Sequence, residues 1–178
     1  IMVAKVLLNP TPGADTAGTH SVLPLFMQGG ERWLQGRDTY SGECMFFQYW
    51  PGFAAFMAPL TLLPYKLASL LWIVLNMGLM MLGGRQLAGE LFGGSKAIAG
   101  VFLLLLLPMS IEGIFNQQSN PLLVALALLG MAQALRGNWW LASVLLLLPG
   151  LTKIAPLCFP LLMLSMFPRQ LLWRLPLA

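Results

Sequence analysis

The sequence predicts an all-α fold, a polytopic transmembrane helical protein, and three observations support this. Hydrophobic residues make up 58% of the 178 residues, and charged residues make up only 9%. Soluble domains carry about a quarter charged residues, so this chain has too few charges to cover a soluble surface. The few charges are also spaced so that they separate apolar stretches of about the length that crosses a bilayer.

The composition argues against several kinds of site. His20 is the single histidine, and the two cysteines, Cys44 and Cys158, lie in a polar stretch and an apolar run respectively. We therefore predict no disulfide framework, no metal site and no cofactor. The net charge of +4 is spread too thinly for a nucleic-acid partner, and in a membrane protein it marks cytoplasmic loops.

The two ends predict a fragment. The sequence opens on a short apolar piece, Ile1 to Leu8, and a new apolar run begins at Leu171. A basic region followed by a long apolar segment, as in a signal peptide, is not seen. We expect a protein truncated at both ends, with residues 1–178 forming part of a single membrane-embedded domain.

Residues 9–64 are predicted to form an outer loop with interfacial helices. Val22 to Gln35 has the apolar spacing of an amphipathic surface helix, although Gly29-Gly30 weakens it. Phe53 to Leu63 is apolar but too short to cross the bilayer, so an interfacial or re-entrant helix fits better.

Residues 65–178 are predicted to form transmembrane helices. Of the five charge-free stretches, 67–84 and 113–135 are long enough to cross the bilayer directly. The stretch 97–111 is long enough if Ser95, Lys96 and Glu112 lie at the interfaces. The last two are short and broken by prolines, which indicates a position beside a cavity. The stretches are 67–84, 97–111, 113–135, 137–152 and 154–168.

The basic residues predict the orientation. The positive-inside rule places the loops that hold Arg85 and Lys96, Arg136, and Arg169 with Arg174 in the cytoplasm. Residues 9–50 and 112–120 then lie outside. Because the chain must cross outward and return between Arg136 and Arg169, Lys153 is predicted at the outer turning point.

Four polar groups therefore fall on the outer side. Any membrane protein has polar outer loops, so an ordinary solvated loop is the alternative explanation for Asp15 with His20 and for residues 36–40 with 48–51. The amide run of the third group needs partners or water. Lys153 sits in a 30-residue apolar segment, where a charge is usually functional, the alternative being that it snorkels to the interface. The groups are Asp15 with His20; 36–40 with 48–51; Glu112 with 116–120; and 152–156.

Short motifs follow one another in a fixed order along most of the chain. The order begins with Trp33-x-x-Gly36-x-x-x-Tyr40, Tyr49-x-Pro51, Pro59, Leu63-Pro64 and Leu71-Trp72-x-x-x-Asn76. It continues with Asn116-Gln117-Gln118-Ser119-Asn120, then Lys153-x-x-Pro156 and Phe167-Pro168-Arg169. In this order the motifs resemble glycosyltransferase family 87, and the amide run is similar to that family's N-G-Q-x-N element.

The resemblance implies a GT-C-like membrane enzyme. Such enzymes take a hexose, typically mannose, or a pentose from a polyprenyl-phosphate donor and pass it to a lipid or glycan acceptor on the outer face. The family pattern sets an Asp about a dozen residues before the Gly of the W-x-x-G element, where this chain reads Ser21 to Pro24. Gln117 stands where the family usually has Gly.

The chemistry needs a base for the acceptor hydroxyl and a positive group for the departing phosphate. Asp15 is the first choice of base, with Glu112 or His20 as alternatives, and Lys153 is chosen for the phosphate. The amide residues are assigned to sugar hydroxyls or to fixing the loop, and the aromatic residues to stacking on a sugar or seating the interfacial helix. The amides are Asn116, Gln117, Gln118 and Asn120, and the aromatics are Tyr40, Tyr49 and Trp50.

Two other classes of protein remain open from the sequence. Broken helices and intramembrane polar groups also mark transporters and channels, although internal repeats are not apparent. A non-catalytic subunit of cell-envelope assembly would not need a titratable group in the pocket. For the enzyme, we expect a multi-pass protein of the plasma or inner membrane that contacts lipids and works on its outer or periplasmic side.

Overall fold

A computed structural model describes residues 21–40 and 49–178 of the chain. Helices cover 79% of these residues, and none of them is in a strand, which confirms the all-α class for the described part. The helices are α1 (Leu23–Leu34), α2 (Pro51–Thr61), α3 (Tyr65–Leu91), α4 (Lys96–Phe115), α5 (Asn120–Leu135), α6 (Trp139–Thr152), α7 (Cys158–Met166) and α8 (Pro168–Leu171), with 3₁₀ turns at Ala155–Leu157 and Leu175–Leu177.

Three of these helices end in the same way. In a Schellman motif, two backbone hydrogen bonds close the last turn around a residue with positive φ, usually glycine. Gly36 has this place after α1 and Gly137 after α5, with φ values of 62° and 82°. After α4 the same place is taken by Gln117, with φ 54°. Its amide donates to the Ile114 carbonyl, and the Gln118 amide donates to that of Gly113.

Within the described residues, a first compact unit runs through Leu75 and includes Gly113–Gln118. Its core holds α1 against α2, and both predicted interfacial helices are present. Gly30 shows how closely the two helices approach, because a Cβ added there would lie 2.9 Å from the backbone nitrogen of Ala58. Gly30, the second glycine of the pair that weakened the helix prediction, is therefore a packing feature.

The second unit comprises Asn76–Glu112 and Ser119–Ala178. Its core lies where α5 and α6 pack against α7 and α8. At Gly130 a Cβ would lie 2.8 Å from the side chain of Leu146, so these two helices also approach closely, as small residues permit in membrane proteins. The buried apolar cluster contains Ala134, Ala142, Leu146, Met163 and Leu171.

Among the described residues, one helix is long and apolar enough to cross a bilayer, namely Tyr65–Leu91. A second crossing arises if Ala155–Met166 and Pro168–Leu177, which meet at a bend of 117°, count as one broken span. The predicted span over 113–135 is wrong at its start. Residues 113–115 finish α4, and a turn separates them from α5, which has 16 residues.

Candidate functional site

Lys153 interrupts the apolar helices of the second unit. The α6 helix continues through Pro149 to Thr152, and Lys153 then has extended backbone angles, φ −141° and ψ 149°. A 3₁₀ turn and α7 follow. The break predicted at Pro149 is wrong, because this proline lies inside α6. A break between the two short stretches is confirmed, and it occurs at the charged residue itself. Broken backbone of this kind exposes polar groups at a defined position in an otherwise apolar segment.

The Lys153 side chain reaches back to the start of α5. Its Nζ donates a hydrogen bond of 2.9 Å to Oδ1 of Asn120, the first residue of that helix. The lysine is partly buried and Asn120 is exposed. An amide oxygen is a neutral acceptor, so this contact orients the ammonium without forming an ion pair.

A different polar cluster lies at the other end of α5. Arg136 caps the helix, and its Nε lies 2.7 Å from Oε1 of Glu90 in an ion pair. Its NH1 donates to Oε1 of Gln86 at 3.0 Å, and Gln133 Nε2 donates to the same oxygen at 3.2 Å. The cluster ties the last turn of α5 to the last turns of α3.

Lys153 and Arg136 therefore lie at opposite ends of α5. At 1.5 Å per residue, a helix of 16 residues separates its two ends by about 24 Å. The sequence argument from charge and length predicted this separation, with Lys153 beside the amide run and Arg136 away from it. Within the second unit, Lys153 bonds to Asn120, the last residue of that run, and Arg136 lies at the other end of α5. The side of the membrane on which each lies stays a prediction.

Gln117 is the centre of a hydrogen-bond network in the first unit. Its side chain is buried, with 6% exposure. Ser21 Oγ donates to Oε1 in a very short contact, and Tyr65 OH donates to the same oxygen at 3.4 Å. Nε2 donates to Ser69 Oγ, also in a very short contact. Because both ends of the amide are engaged inside the protein, Gln117 fixes the loop in this structure.

The backbone around Gln117 is fixed as well. Trp72, buried on α3, donates from Nε1 to the Gln117 carbonyl at 2.9 Å. The Val22 amide at the start of α1 donates to the Asn116 carbonyl at 2.9 Å. The side chains of Asn116 and Gln118 are each partly exposed on this fixed turn.

The predicted aromatic residues lie by the α1–α2 pair. Tyr40 OH donates to the Tyr49 carbonyl at 2.7 Å. The Tyr49 ring meets Phe26 edge-on at 4.9 Å between centroids and stacks on Phe53 at 5.1 Å. Tyr49 thus packs against α1 and α2, while Tyr40 and Trp50 are exposed.

The candidate bases divide between described and undescribed residues. Glu112 lies in the last turn of α4 and is exposed. Asp15 and His20 lie outside the described residues. The residue after His20, Ser21, is described and bonds to Gln117. Across residues 21–40 and 49–178, His, Cys, Asp and Glu side chains do not gather into a group of three that could hold a metal ion.

Comparison with known protein families decides the assignment. The model of glycosyltransferase family 87 matches residues 47–173, which is most of the chain. The chain belongs to glycosyltransferase family 87. Neither the curated proteins nor the solved structures contain a match to it.

Membership of family 87 settles the class of protein. Family 87 proteins are membrane glycosyltransferases, so the chain is assigned to an enzyme that uses a sugar donor and an acceptor. The transporter, channel and scaffold alternatives lose their support.

The structure also explains three positions of the family pattern. Gly36 and Gln117 each occupy the positive-φ place of a Schellman motif, and Trp72 secures the second of these turns. A positive φ favours glycine, which accounts for the family's usual residue at position 117.

Sequence reasoning missed two partners of the loop. Ser69 and Trp72 both face Gln117 from α3, and both are almost fully buried. Their spacing of three residues along a helix places them on one face, which was the available signal. It could not be used because the sequence does not say which buried amide this face would meet.

Proposed function

We propose that this glycosyltransferase transfers a hexose such as mannose, or a pentose, from a polyprenyl-phosphate donor to a lipid or glycan acceptor at the outer face of the membrane. The observation that carries the proposal is the hydrogen bond from Lys153 to Asn120, at the end of α5 opposite to Arg136. A cation held there at a helix break suits a phosphate carried by a lipid.

Lys153 is proposed to bind the donor phosphate. The start of α5 adds a favourable field, since the N-terminal end of a helix carries a partial positive charge. An ammonium and a helix N-terminus repel each other weakly, and an anion between them relieves that repulsion. Asn120 holds the ammonium in place and does not neutralise it.

The transfer step follows from these charges. The C1–O bond to the phosphate breaks with its electron pair moving to the phosphate oxygen, while the acceptor oxygen forms the new bond to C1. Lys153 stabilises the charge that develops on the departing polyprenyl phosphate. A base accepts the proton of the acceptor hydroxyl. No cofactor is needed in this scheme.

The base is proposed to be Asp15, with His20 and Glu112 as the alternatives. Asn116 and Gln118, on the fixed turn after α4, are proposed to bind sugar hydroxyls, and Gln117 to position them from inside. Tyr40 and Tyr49 are proposed to line the sugar or seat the interfacial helices, and the packing of Tyr49 favours seating.

The proposed setting is a multi-pass, GT-C-like protein of the plasma or inner membrane. Residues 9–64 form the outer loop and residues 65–178 the transmembrane helices of one membrane-embedded domain. The apolar helices α4, α5 and α6 support further crossings beyond α3. Arg85 near the end of α3, Lys96 at the start of α4 and Arg136 at the end of α5 support a cytoplasmic face opposite to Lys153.

The experiment is a transfer assay with the purified full-length protein in proteoliposomes. Polyprenyl-phosphate mannose, polyprenyl-phosphate arabinose and nucleotide sugars are offered with a lipid acceptor extract, and incorporation of label is measured. The proposal predicts incorporation from one of the polyprenyl-phosphate donors. Incorporation from nucleotide sugars alone would replace the proposed donor class with another.

A further inference from the structure

A cavity of about 560 Å³ lies in the second unit, at the end of α5 that carries Arg136. Lys153 is at the other end of this helix, so the cavity is separate from the proposed phosphate site. Its walls come from the start of α6, the loop before it and one residue near the end of the chain. The lining residues are Gly137, Asn138, Trp139, Trp140, Leu141 and Arg174.

Arg174 supplies the charge of this cavity. Its guanidinium carbon lies 4.0 Å from the ring centroid of Trp173 and 5.8 Å from that of Trp140. The two indoles meet edge-on at 5.2 Å. The guanidinium thus lies over the Trp173 ring and close to the Trp140 ring, and these cation–π contacts restrict its orientation.

One N–H group of the Arg174 guanidinium has no hydrogen-bond acceptor among the described residues. NH1 donates to the Gln170 carbonyl, but Nε is buried and has no hydrogen-bond partner within the described residues. A buried N–H of a charged group without an acceptor is costly. A planar guanidinium in the wall of a cavity suits phosphate oxygens well.

The surroundings indicate which anion fits. In the second unit the acidic residues are Glu90, which pairs with Arg136, and Glu112, near the far end of α4. Neither lines the cavity. The apolar side chain of Leu141, which lines the cavity, is 49% exposed, and that of Leu172, two residues before Arg174, is 66% exposed. A ligand with an anionic head and apolar chains matches both features.

We infer that this cavity binds the phosphodiester headgroup of an anionic phospholipid of the cytoplasmic leaflet. Tryptophans such as Trp140 and Trp173 mark the level of the headgroups in membrane proteins. Basic pockets between helices on the cytoplasmic side hold anionic headgroups in the same way. The inference rests on the proposed orientation of the chain, and it does not depend on the sugar donor.

The test measures lipid binding by the purified full-length protein in detergent. The probes are phosphatidylglycerol, phosphatidylcholine and inorganic phosphate, and bound lipid is counted by native mass spectrometry. We expect phosphatidylglycerol to bind in preference to phosphatidylcholine. Arg174→Gln should weaken its binding about fivefold, the effect of losing one basic residue near an anionic headgroup.

Two variants make the test specific. Arg169→Gln removes an exposed arginine five residues earlier and should keep binding within about twofold of wild type. Arg174→Lys keeps the charge without the planar donor edge, so it should bind between wild type and Arg174→Gln even if the glutamine variant folds poorly. Equal binding of both lipids, equal losses in the two glutamine variants, or full displacement of lipid by equimolar inorganic phosphate would overturn the inference. Sugar transfer is not part of the readout, so a failure here leaves the proposed reaction standing.

Discussion

Nζ of Lys153 donates a 2.9 Å hydrogen bond to Oδ1 of Asn120 across a separation of 33 residues. The contact joins the break after α6 to the first residue of α5, and it fixes where the charge stands. If Asn120 orients the ammonium for the donor phosphate, changing the amide should change donor binding without removing the charge.

Asn120→Ala should therefore raise KM for the polyprenyl-phosphate donor about fivefold, because losing a hydrogen bond to a charged group costs roughly 1 kcal/mol or more. Asn120→Asp should be worse, since a carboxylate would pair with Lys153 and compete with the phosphate. Steady-state kinetics of both variants provide the measurement.

Asn138→Ala is the matched control for these variants. Asn138 bonds to Gln133 at the opposite end of α5, through Nδ2 and Oε1 at 2.8 Å. Its loss should leave KM unchanged. A KM for Asn120→Asp equal to that of wild type would show that Asn120 does not orient Lys153 for the donor phosphate.

Gln117 provides a prediction about stability. Gln117→Gly and Gln117→Ala both lose the buried amide contacts, but only alanine keeps a Cβ in the left-handed backbone conformation. That conformation costs roughly 1–2 kcal/mol for a residue other than glycine. The alanine variant should unfold a few degrees below the glycine variant, about 2–4 °C per kcal/mol in a domain of this size. Thermal unfolding in detergent measures the difference.

Gly36→Ala calibrates this comparison. It places a Cβ in the same Schellman position after α1, where nothing lies within 4 Å of the added atom. The loss of stability in Gly36→Ala therefore measures only the cost of placing a Cβ in the left-handed backbone conformation. If Gln117→Ala is as stable as Gln117→Gly while Gly36→Ala is destabilised, the backbone of Gln117 is not in the conformation described.

The close approach of α1 to α2 can be tested at Gly30. A Cβ there would meet the backbone of Ala58 at 2.9 Å, so Gly30→Ala must push the two helices apart. Overpacking of this kind costs roughly 1–3 kcal/mol. Gly78→Ala, on α3 with open space around it, should be neutral or stabilising. Equal unfolding temperatures for the two variants would argue against the described packing.

The orientation is testable by sided labelling. In a background with Cys44 and Cys158 replaced by serine, Ile154→Cys and Phe92→Cys place single thiols beside Lys153 and in the loop after α3. Both positions are exposed, at 83% and 42%. The cells are first stripped of the layers outside an intact plasma membrane. A membrane-impermeant maleimide should then label Ile154→Cys and leave Phe92→Cys unlabelled. Labelling of Phe92→Cys alone would invert the proposed topology.

The sequence allowed much of the fold to be predicted, because charges and prolines mark helix ends in an apolar chain. The helices α1 and α2 and the break at Lys153 were predicted for that reason, while the interfacial position of the two helices stays a prediction. The polar segment between α4 and α5 was predicted over 112–120, but the third span was drawn from residue 113, since amides such as Gln118 carry no charge to mark the turn.

The site was harder to predict than the fold. Sequence alone paired Lys153 with the amide run on the basis of topology, and the Lys153–Asn120 bond agrees. It could not distinguish an amide that faces substrate from one buried in the protein, so Gln117 was grouped with its neighbours. The packing role of Gly30 was likewise hidden, because it depends on a partner helix almost 30 residues away.

The central claim is that Lys153 binds the phosphate of a polyprenyl-phosphate donor, and the transfer rate of Lys153→Met tests it most directly. Proteoliposomes of wild type, Lys153→Met, Lys153→Arg and Lys96→Met are supplied with saturating donor. We predict a loss of about 100-fold or more for methionine, as for other groups that stabilise developing charge. Arginine should keep a substantial fraction of the rate, and Lys96→Met should match wild type. Full transfer by Lys153→Met would contradict the account.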